Sequence, residues 1–408
     1  MSRPDRPAGA SDPAADIDAG ILDRMIEIRR HLHRHPELSN REAGTQRYLR
    51  EMLASEGIAE IRDVAGYGLA VDIVGTGRPS NRKLAIRADI DALPIEEESG
   101  VDYASENPGV MHACGHDAHA AMGFAVAAHL HRSRESFGGT VRLIFQPAEE
   151  DEPSGGKRVV EEGLLDDVDA AICVHVDPYT LSGKVAVGSG PYTLACDTFD
   201  VLVTGSAAHA AKPHEGVDAL TVACSMVSEL QKIVSRETDP YDPLVISVTA
   251  INGGNAYNVT AGKVALKGTI RSGNDATRER AWRRVREVLE GVAVSHGAKV
   301  KVDIHRGEPG VVNDTEMAEL ILASAKASIG ADNALNMPGW SIADDFGYYS
   351  EKRPSVYFRL GIRNEVAGSV YPLHHARFRV DEAALKNGVL TLVSAATMYL
   401  AGQENPGG

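Results

Sequence analysis

The densest concentration of reactive side chains is Met111-His112-Ala113-Cys114-Gly115-His116-Asp117-Ala118-His119. Thiolate and imidazole both bind transition metals well. Cys114 and His116 stand two apart, so in an extended loop their side chains face one side. The plain alternative is a glycine turn with a buried cysteine ahead of a helix at Ala118; the neighbouring histidines favour a metal. Phe145-Gln146-Pro147-Ala148-Glu149-Glu150-Asp151-Glu152 directly follows an apolar strand, and active sites of α/β sheets lie outside the carboxyl ends of strands. One of two adjacent carboxylates can bind metal while the other takes a proton from metal-bound water; alone, the run also reads as a solvated loop. His175, in Ile172-Cys173-Val174-His175-Val176-Asp177-Pro178, stands at another apparent strand end, where a lone histidine is more often structural. Arg87-Ala88-Asp89-Ile90-Asp91-Ala92-Leu93-Pro94 offers two alternating carboxylates, which turn and cap chemistry could also use. Leu373-His374-His375-Ala376-Arg377-Phe378 adds an imidazole pair. Five such clusters, several of them at apparent strand ends, together favour a coordinated metal site.

The elements that must position these residues are legible as periodicities. Ile21, Leu22, Met25, Ile28 and Leu32 stand near helical spacing in a segment that stops before Pro36, and a second helix runs from Glu42 to Leu53. Leu69–Val74, Leu84–Ile86, Val141–Phe145 and Ala170–Val174 read as strands, with helices over Ala118–Leu130 and Gly156–Glu162 between them. Alternation of this kind predicts an α/β layer with a mixed, largely parallel sheet. Past Pro191 the pattern changes: strand Thr198–Val203, helix Asp218–Val234, strands Val245–Ala250 and Lys263–Arg271, helix Ala276–Val294 and strand Lys299–His305. That β-α-β-β-α-β order is the split arrangement of a ferredoxin-like α+β module. Mixed α/β character returns from about Glu308. The expected organisation is a disordered leader over residues 1–18, a main domain of residues 19–191 and 308–408, and an inserted domain of residues 192–307.

Composition excludes several function classes. The 408 residues carry 42 Lys plus Arg against 57 Asp plus Glu, a net charge of −15, which argues against nucleic-acid or anionic-membrane partners. No apolar stretch reaches the ~18 residues of a membrane span, and the N-terminus has no apolar core of a secretory signal. The four cysteines, Cys114, Cys173, Cys196 and Cys224, show no paired short spacing, which fits a reducing, cytoplasmic compartment.

Taken in chain order, these residues resemble the metal-dependent aminoacylase and carboxypeptidase family, in its hippurate hydrolase and auxin–amino acid conjugate hydrolase branch. The likeness covers almost everything after the leader and is carried by His35-Pro36-Glu37-Leu38-Ser39, Arg87–Pro94, Met111–His119, Phe145–Glu150, His209–His214, Gly268–Arg271 and Asp345-Phe346. The resemblance implies a bimetal catalytic domain and an inserted lid that often dimerises, hence a homodimer or higher homo-oligomer. It makes Cys114, His116, Glu150, His175 and His374 the ligands of two divalent metals per subunit. Manganese or zinc is expected, and the single thiolate leaves cobalt and nickel open. Glu149 becomes the general base, Asp91 an orienting carboxylate behind the metals, and His209 a stabiliser of the oxyanion. Asn258 and Arg271 would hold a small-molecule substrate, a guanidinium fork suiting a carboxylate. The implied reaction is hydrolysis of N-acyl or N-aroyl amino acids to a carboxylic acid and a free amino acid.

Several positions depart from the family pattern: Asp177, Lys212, Thr260 in Asn258-Val259-Thr260, Asp344 and His374-His375-Ala376. They are expected near the substrate pocket, so specificity is more open than catalysis. Two alternatives follow. One is hydrolysis of another C–N bond, such as an arylamine or carbamate. The other is a non-catalytic binding protein, against which the Glu149-Glu150 pair and Cys114/His116 argue.

Overall fold

The computed structural model describes residues 17–402. They form two compact units, one of residues 17–190, 312–339 and 348–402, the other of residues 191–311 and 340–347. The leader expected over residues 1–18 lies outside the described residues up to position 16. Its last two residues belong to the fold: Ile17 is buried in the core, and the Asp18 carboxylate accepts from the Gly20 and Ile21 amides to cap helix Ala19–Arg34. That helix buries Ile21, Met25, Ile28 and Leu32, the apolar stripe set by their spacing.

The first unit is built on an eight-stranded sheet in the order Ile61–Val64, Gly68–Val74, Thr140–Gln146, Lys83–Asp89, Ala170–Leu181, Ser355–Arg363, Val185–Val187 and Ala334–Asn336. The strands from Thr140–Gln146 to Ser355–Arg363 pair in parallel, and antiparallel partners flank them on both sides. These central strands are buried along nearly their whole length, and their sequences are predominantly apolar, as burial on both faces requires. Helix His116–Arg132, almost wholly buried, packs against helices Ala19–Arg34 and Leu385–Ala401.

Two elements differ from the lengths expected of them. The helix expected from Ala118 starts at His116. The strand expected to end at Val174 continues to Leu181, so His175 lies inside it. The reason is one-sided pairing: the ladder to Lys83–Asp89 stops at Arg87↔Cys173, while the ladder to Ser355–Arg363 carries on through Arg359↔His175.

The second unit has strands Ala195–Thr204, Leu244–Gly253, Lys263–Ser272 and Lys299–His305 with helices Ala219–Glu237 and Asp275–Ser295. Its sheet order is Lys299–His305, Ala195–Thr204, Lys263–Ser272, Leu244–Gly253, antiparallel throughout, which is the ferredoxin-like arrangement. Phe199, Val201, Leu266 and Ile270 share its core with Met226, Leu230, Val285 and Leu289. This unit runs to Val311 rather than to residue 307, because Cys196 N still donates to Glu308 O and Tyr192 N to Val311 O. Residues 340–347 join it as well, Leu194 N donating to Ile342 O at 2.8 Å. Among the described residues no helix is long and apolar enough to cross a membrane.

Candidate active site

Gly115 sets the geometry of the densest cluster. Its φ of +86° lies in the left-handed region, and a Cβ there would stand 2.5 Å from Val176 Cγ2. The segment is therefore not the extended loop expected. It is a left-handed turn that ends at His116, the first residue of its helix. The turn still gathers donor atoms. Those of Cys114, His116 and His175 lie within 4.8 Å of one another, as do those of His116, Glu149 and Glu150, and of Cys114, Glu150 and His374. Cys114 Sγ is 3.5 Å from His175 Nε2, and His374 Nε2 is 3.1 Å from Glu150 Oε1. His374 takes a positive φ of 63° while its amide donates to Ala113 O at 2.9 Å, which fastens it to the cysteine's own loop.

Asp91 stands behind these groups. Its Oδ1 accepts from His116 Nδ1 at 3.1 Å, and its Oδ2 from Ser39 Oγ at 2.7 Å and Glu150 N at 3.0 Å. One buried carboxylate thus orients both an imidazole and the backbone of the acidic loop. With Nδ1 engaged, His116 offers Nε2, which is buried without a hydrogen-bond partner among the described residues. Asp89 Oδ2 stands 3.7 Å from it, beyond hydrogen-bond distance. A buried imidazole nitrogen without a hydrogen bond costs free energy unless something binds it, and with a thiol, two carboxylates and two further imidazoles around it this donor set fits divalent metals.

The electrostatics describe the same site with protons in place of metal. Burial, with Glu150, Glu149 and Asp89 nearby, pushes the Cys114 thiol well above its usual range. Burial disfavours charge on His116 too, but Asp89 and Asp91 outweigh it and raise His116 to about 10. Burial and the neighbouring His119 hold His175 neutral, the form in which imidazole ligates.

Asp89, His116 and His119 also bring their donor atoms together, yet these groups are already bonded. Asp89 Oδ1 accepts from His119 Nδ1 and Oδ2 from Arg87 Nη1, both at 2.5 Å, while His119 Nε2 accepts from Val176 N at 3.0 Å. His119 therefore pins the backbone beside His175. Sequence reasoning gave it no role, although its place three residues after His116, one helical turn on, was the available signal. Asp117, rather than capping its helix, accepts from His33 Nδ1 at 2.9 Å and pairs with Arg29 Nε at 3.1 Å, anchoring the turn to helix Ala19–Arg34.

The remaining site residues stand in the second unit. His209 and Asn258 are exposed and adjoin one another, through a bridge between His209 and Val259 and a bond from Ala210 N to Asn258 O at 3.0 Å. Arg271, half-buried, lies in Lys263–Ser272 opposite Cys196 and Val245. Most departures from the family pattern have local structural uses. Asp177 is buried and accepts from Tyr179 N, Thr180 Oγ1 and Arg359 Nη1. Thr260 Oγ1 accepts from Ala208 N at 2.8 Å, Asp344 Oδ1 from Phe346 N, and His375 Nδ1 from Arg377 N. Lys212 pairs on the surface with Glu215.

The sequence profile of peptidase family M20/M25/M40 matches residues 85–398. The chain belongs to that family. It is a metal-dependent hydrolase with the α/β catalytic fold of its relatives. The N-acetyl-L-cysteine deacetylase of Bacillus subtilis is 37% identical over 384 residues, spanning 93% of this chain and 89% of the relative. An IAA-amino acid hydrolase of Arabidopsis thaliana is 35% identical over 391 residues, spanning 95% and 88%. Among solved structures, a Bacillus subtilis protein described as a dinuclear metal binding peptidase from the M20 family superimposes with a TM-score of 0.83 at 33% identity, covering 94% of this chain and 99% of its own.

Proposed function

We propose that this M20 hydrolase cleaves the amide of N-acyl or N-aroyl amino acids, releasing a carboxylic acid and a free amino acid. The observation that carries the reading is the adjacent Glu149 and Glu150 beside His116, with Cys114, His175 and His374 completing the donor set. The relatives named for N-acetyl-L-cysteine and for IAA-amino acids both act on acylated amino acids, which supports the same class here. Cys114, His116, Glu150, His175 and His374 are the proposed ligands of two divalent metals, manganese or zinc, with cobalt or nickel as substitutes. When bound, such metals lower the pKa of water and polarise a carbonyl.

The chain's own groups divide the remaining work. Glu149 takes the proton of the attacking water and returns it to the leaving nitrogen, which departs poorly as an anion. Asp91 fixes the His116 ring and the Glu150 amide so that neither must reorganise during the reaction. His209 is assigned to the oxyanion, and Asn258 and Arg271 to the substrate's polar ends. The four free cysteines fit a reducing cytoplasm. Exposed Val245 and Ile251 on the edge strand Leu244–Gly253 fit a homodimer formed through the inserted domain.

The test is product analysis by mass spectrometry on N-acetyl, N-benzoyl and N-arylacetyl amino acids, for the parent and Glu149→Gln. The parent should release acid plus amino acid, and the variant should lose ~10²- to 10⁴-fold in kcat with its metal retained. A Glu149→Gln enzyme as fast as the parent would sink the mechanism. A metal-loaded parent inert on the whole panel would move the assignment to another C–N bond.

A further inference from the structure

Between helices Ala19–Arg34 and Ala43–Ser55 the chain runs through a short segment, Glu37 to Glu42, none of whose residues is assigned a metal or a proton above. Its polar groups nevertheless reach both turns that carry that chemistry. Glu37 O accepts from Ala92 N at 2.8 Å, and Ser39 Oγ donates to Asp91 Oδ2. Asn40 Oδ1 accepts from Arg158 Nη2 at 2.7 Å, and Glu42 Oε1 accepts from Ala148 N at 2.8 Å.

Glu42 is the unusual member. It occupies the N-cap of helix Ala43–Ser55 yet makes no side-chain cap bond there. Glu37 does that work instead, accepting from Gly44 N and Thr45 N. Glu42 is fully buried, and its Oε2 has no hydrogen-bond partner among the described residues. Burying a carboxyl group with one oxygen unsatisfied is unfavourable, and its own helix does not require it. What its other oxygen holds is the amide of Ala148, the residue immediately before Glu149. Ala148 has φ +50°, in the left-handed region that a side-chain-bearing residue occupies only when its surroundings impose it. Its carbonyl is held too, accepting from Gly155 N at 2.8 Å. The residue that launches Glu149 is thus held on both sides, its carbonyl by Gly155, the first residue of helix Gly155–Glu161, and its amide by Glu42, far earlier in the chain.

We infer that Glu42 is a positioning residue for hydrolysis: by accepting the Ala148 amide it holds the left-handed turn that aims the Glu149 carboxylate. The inference rests on Glu149 being the base. Because Oε1 alone makes the bond, a neutral amide in place of the carboxyl keeps the contact. The carboxyl's own charge is already weakened, since burial and Asp91 push Glu42 up to about 7.

The experiment compares metal-loaded Glu42→Ala, Glu42→Gln and Glu42→Asp with the parent for kcat, KM, metal content and hydrogen exchange at the Ala148 amide. In Glu42→Ala, kcat should fall about 10- to 100-fold with KM within about twofold, as expected when a reacting group is misplaced and binding is not. Metal content should stay at the parent level, and Ala148 should exchange at least about tenfold faster as its acceptor is lost. Glu42→Gln should bring both kcat and Ala148 protection back to within about threefold of the parent, a rescue that a purely structural defect would not show. If Glu42→Ala does not fold, Glu42→Asp, one methylene too short to reach, should give the slow-kcat, fast-exchange pattern. Parent-like kcat or unchanged Ala148 exchange in the folded short variants overturns the inference, as does a Glu42→Gln enzyme as slow as Glu42→Ala. Failure of the base assignment is read separately: Glu149→Gln would then keep the parent rate, while Ala148 exchange still reports whether Glu42 holds the turn.

Discussion

Metal affinity should rise steeply with pH, because two of the proposed donors are held protonated by their surroundings. Burial and the three nearby carboxylates keep the proton on Cys114 well above neutrality, and Asp89 with Asp91 keeps one on His116 up to about 10. His175 is already neutral and has none to give. Loading the centre therefore expels two protons throughout the window from pH 6 to 8. Each proton displaced makes binding tenfold tighter per pH unit, about 1.4 kcal/mol, so two give roughly a hundredfold per unit. The sign is fixed: a raised thiol and a raised imidazole both oppose metal at low pH, and their opposition fades as pH approaches their own values. Competition with a chelator of known proton affinities would give the slope, and calorimetry in two buffers of different ionisation enthalpy would count the protons. Cys114→Ala should reduce the slope to about one decade per unit, since a single proton then leaves. A parent slope of one or less, or a proton count near zero, would refute the reasoning.

Two shorter predictions bear on the same turn. Gly115→Ala forces a Cβ to 2.5 Å from Val176 Cγ2 at φ +86°. It should destabilise the protein by about 1–3 kcal/mol in thermal unfolding and lower its metal content; an unchanged Tm would mean the turn is looser than described. Asp91→Asn removes the carboxylate that His116, Ser39 and the Glu150 amide share. It should cost about 10- to 100-fold in kcat/KM or in metal affinity, and parent values of both would show that Asp91 orients nothing.

Residue chemistry made the cluster of donors legible before its geometry. The alternation of apolar runs with polar ends placed Glu149, Asp91 and Cys114 at the margins of strands and helices, and the β-α-β-β-α-β order identified the second unit's sheet. What periodicity does not encode is backbone hand. Cys114 and His116 were matched by assuming an extended loop, whereas Gly115 brings them together through a left-handed turn. Nor does it encode how far a strand runs once one neighbour has stopped, which is why His175 lies inside a strand that reaches Leu181. Residues 340–347 carry no repeat of either period, so their membership of the second unit had no local signal. Asp177 stood out as a departure from the family pattern; within strand Ala170–Leu181 its buried carboxylate accepts from Thr180 and Arg359, a local structural use that its residue type alone did not signal.

The parallel pairing of Ala170–Leu181 with Ser355–Arg363 bears on how the chain is made. On the ribosome, the first half of the catalytic unit emerges with that apolar central strand open along one edge. It stays so until the whole of the second unit, a contiguous antiparallel module over most of its length, has followed. His374 and helix Leu385–Ala401 arrive later still. A long-range, parallel contact of this kind is slow to form and leaves a strand edge available to other chains meanwhile. Synthesis order thus sets a period of vulnerability to aggregation that ends only when the C-terminal strand docks.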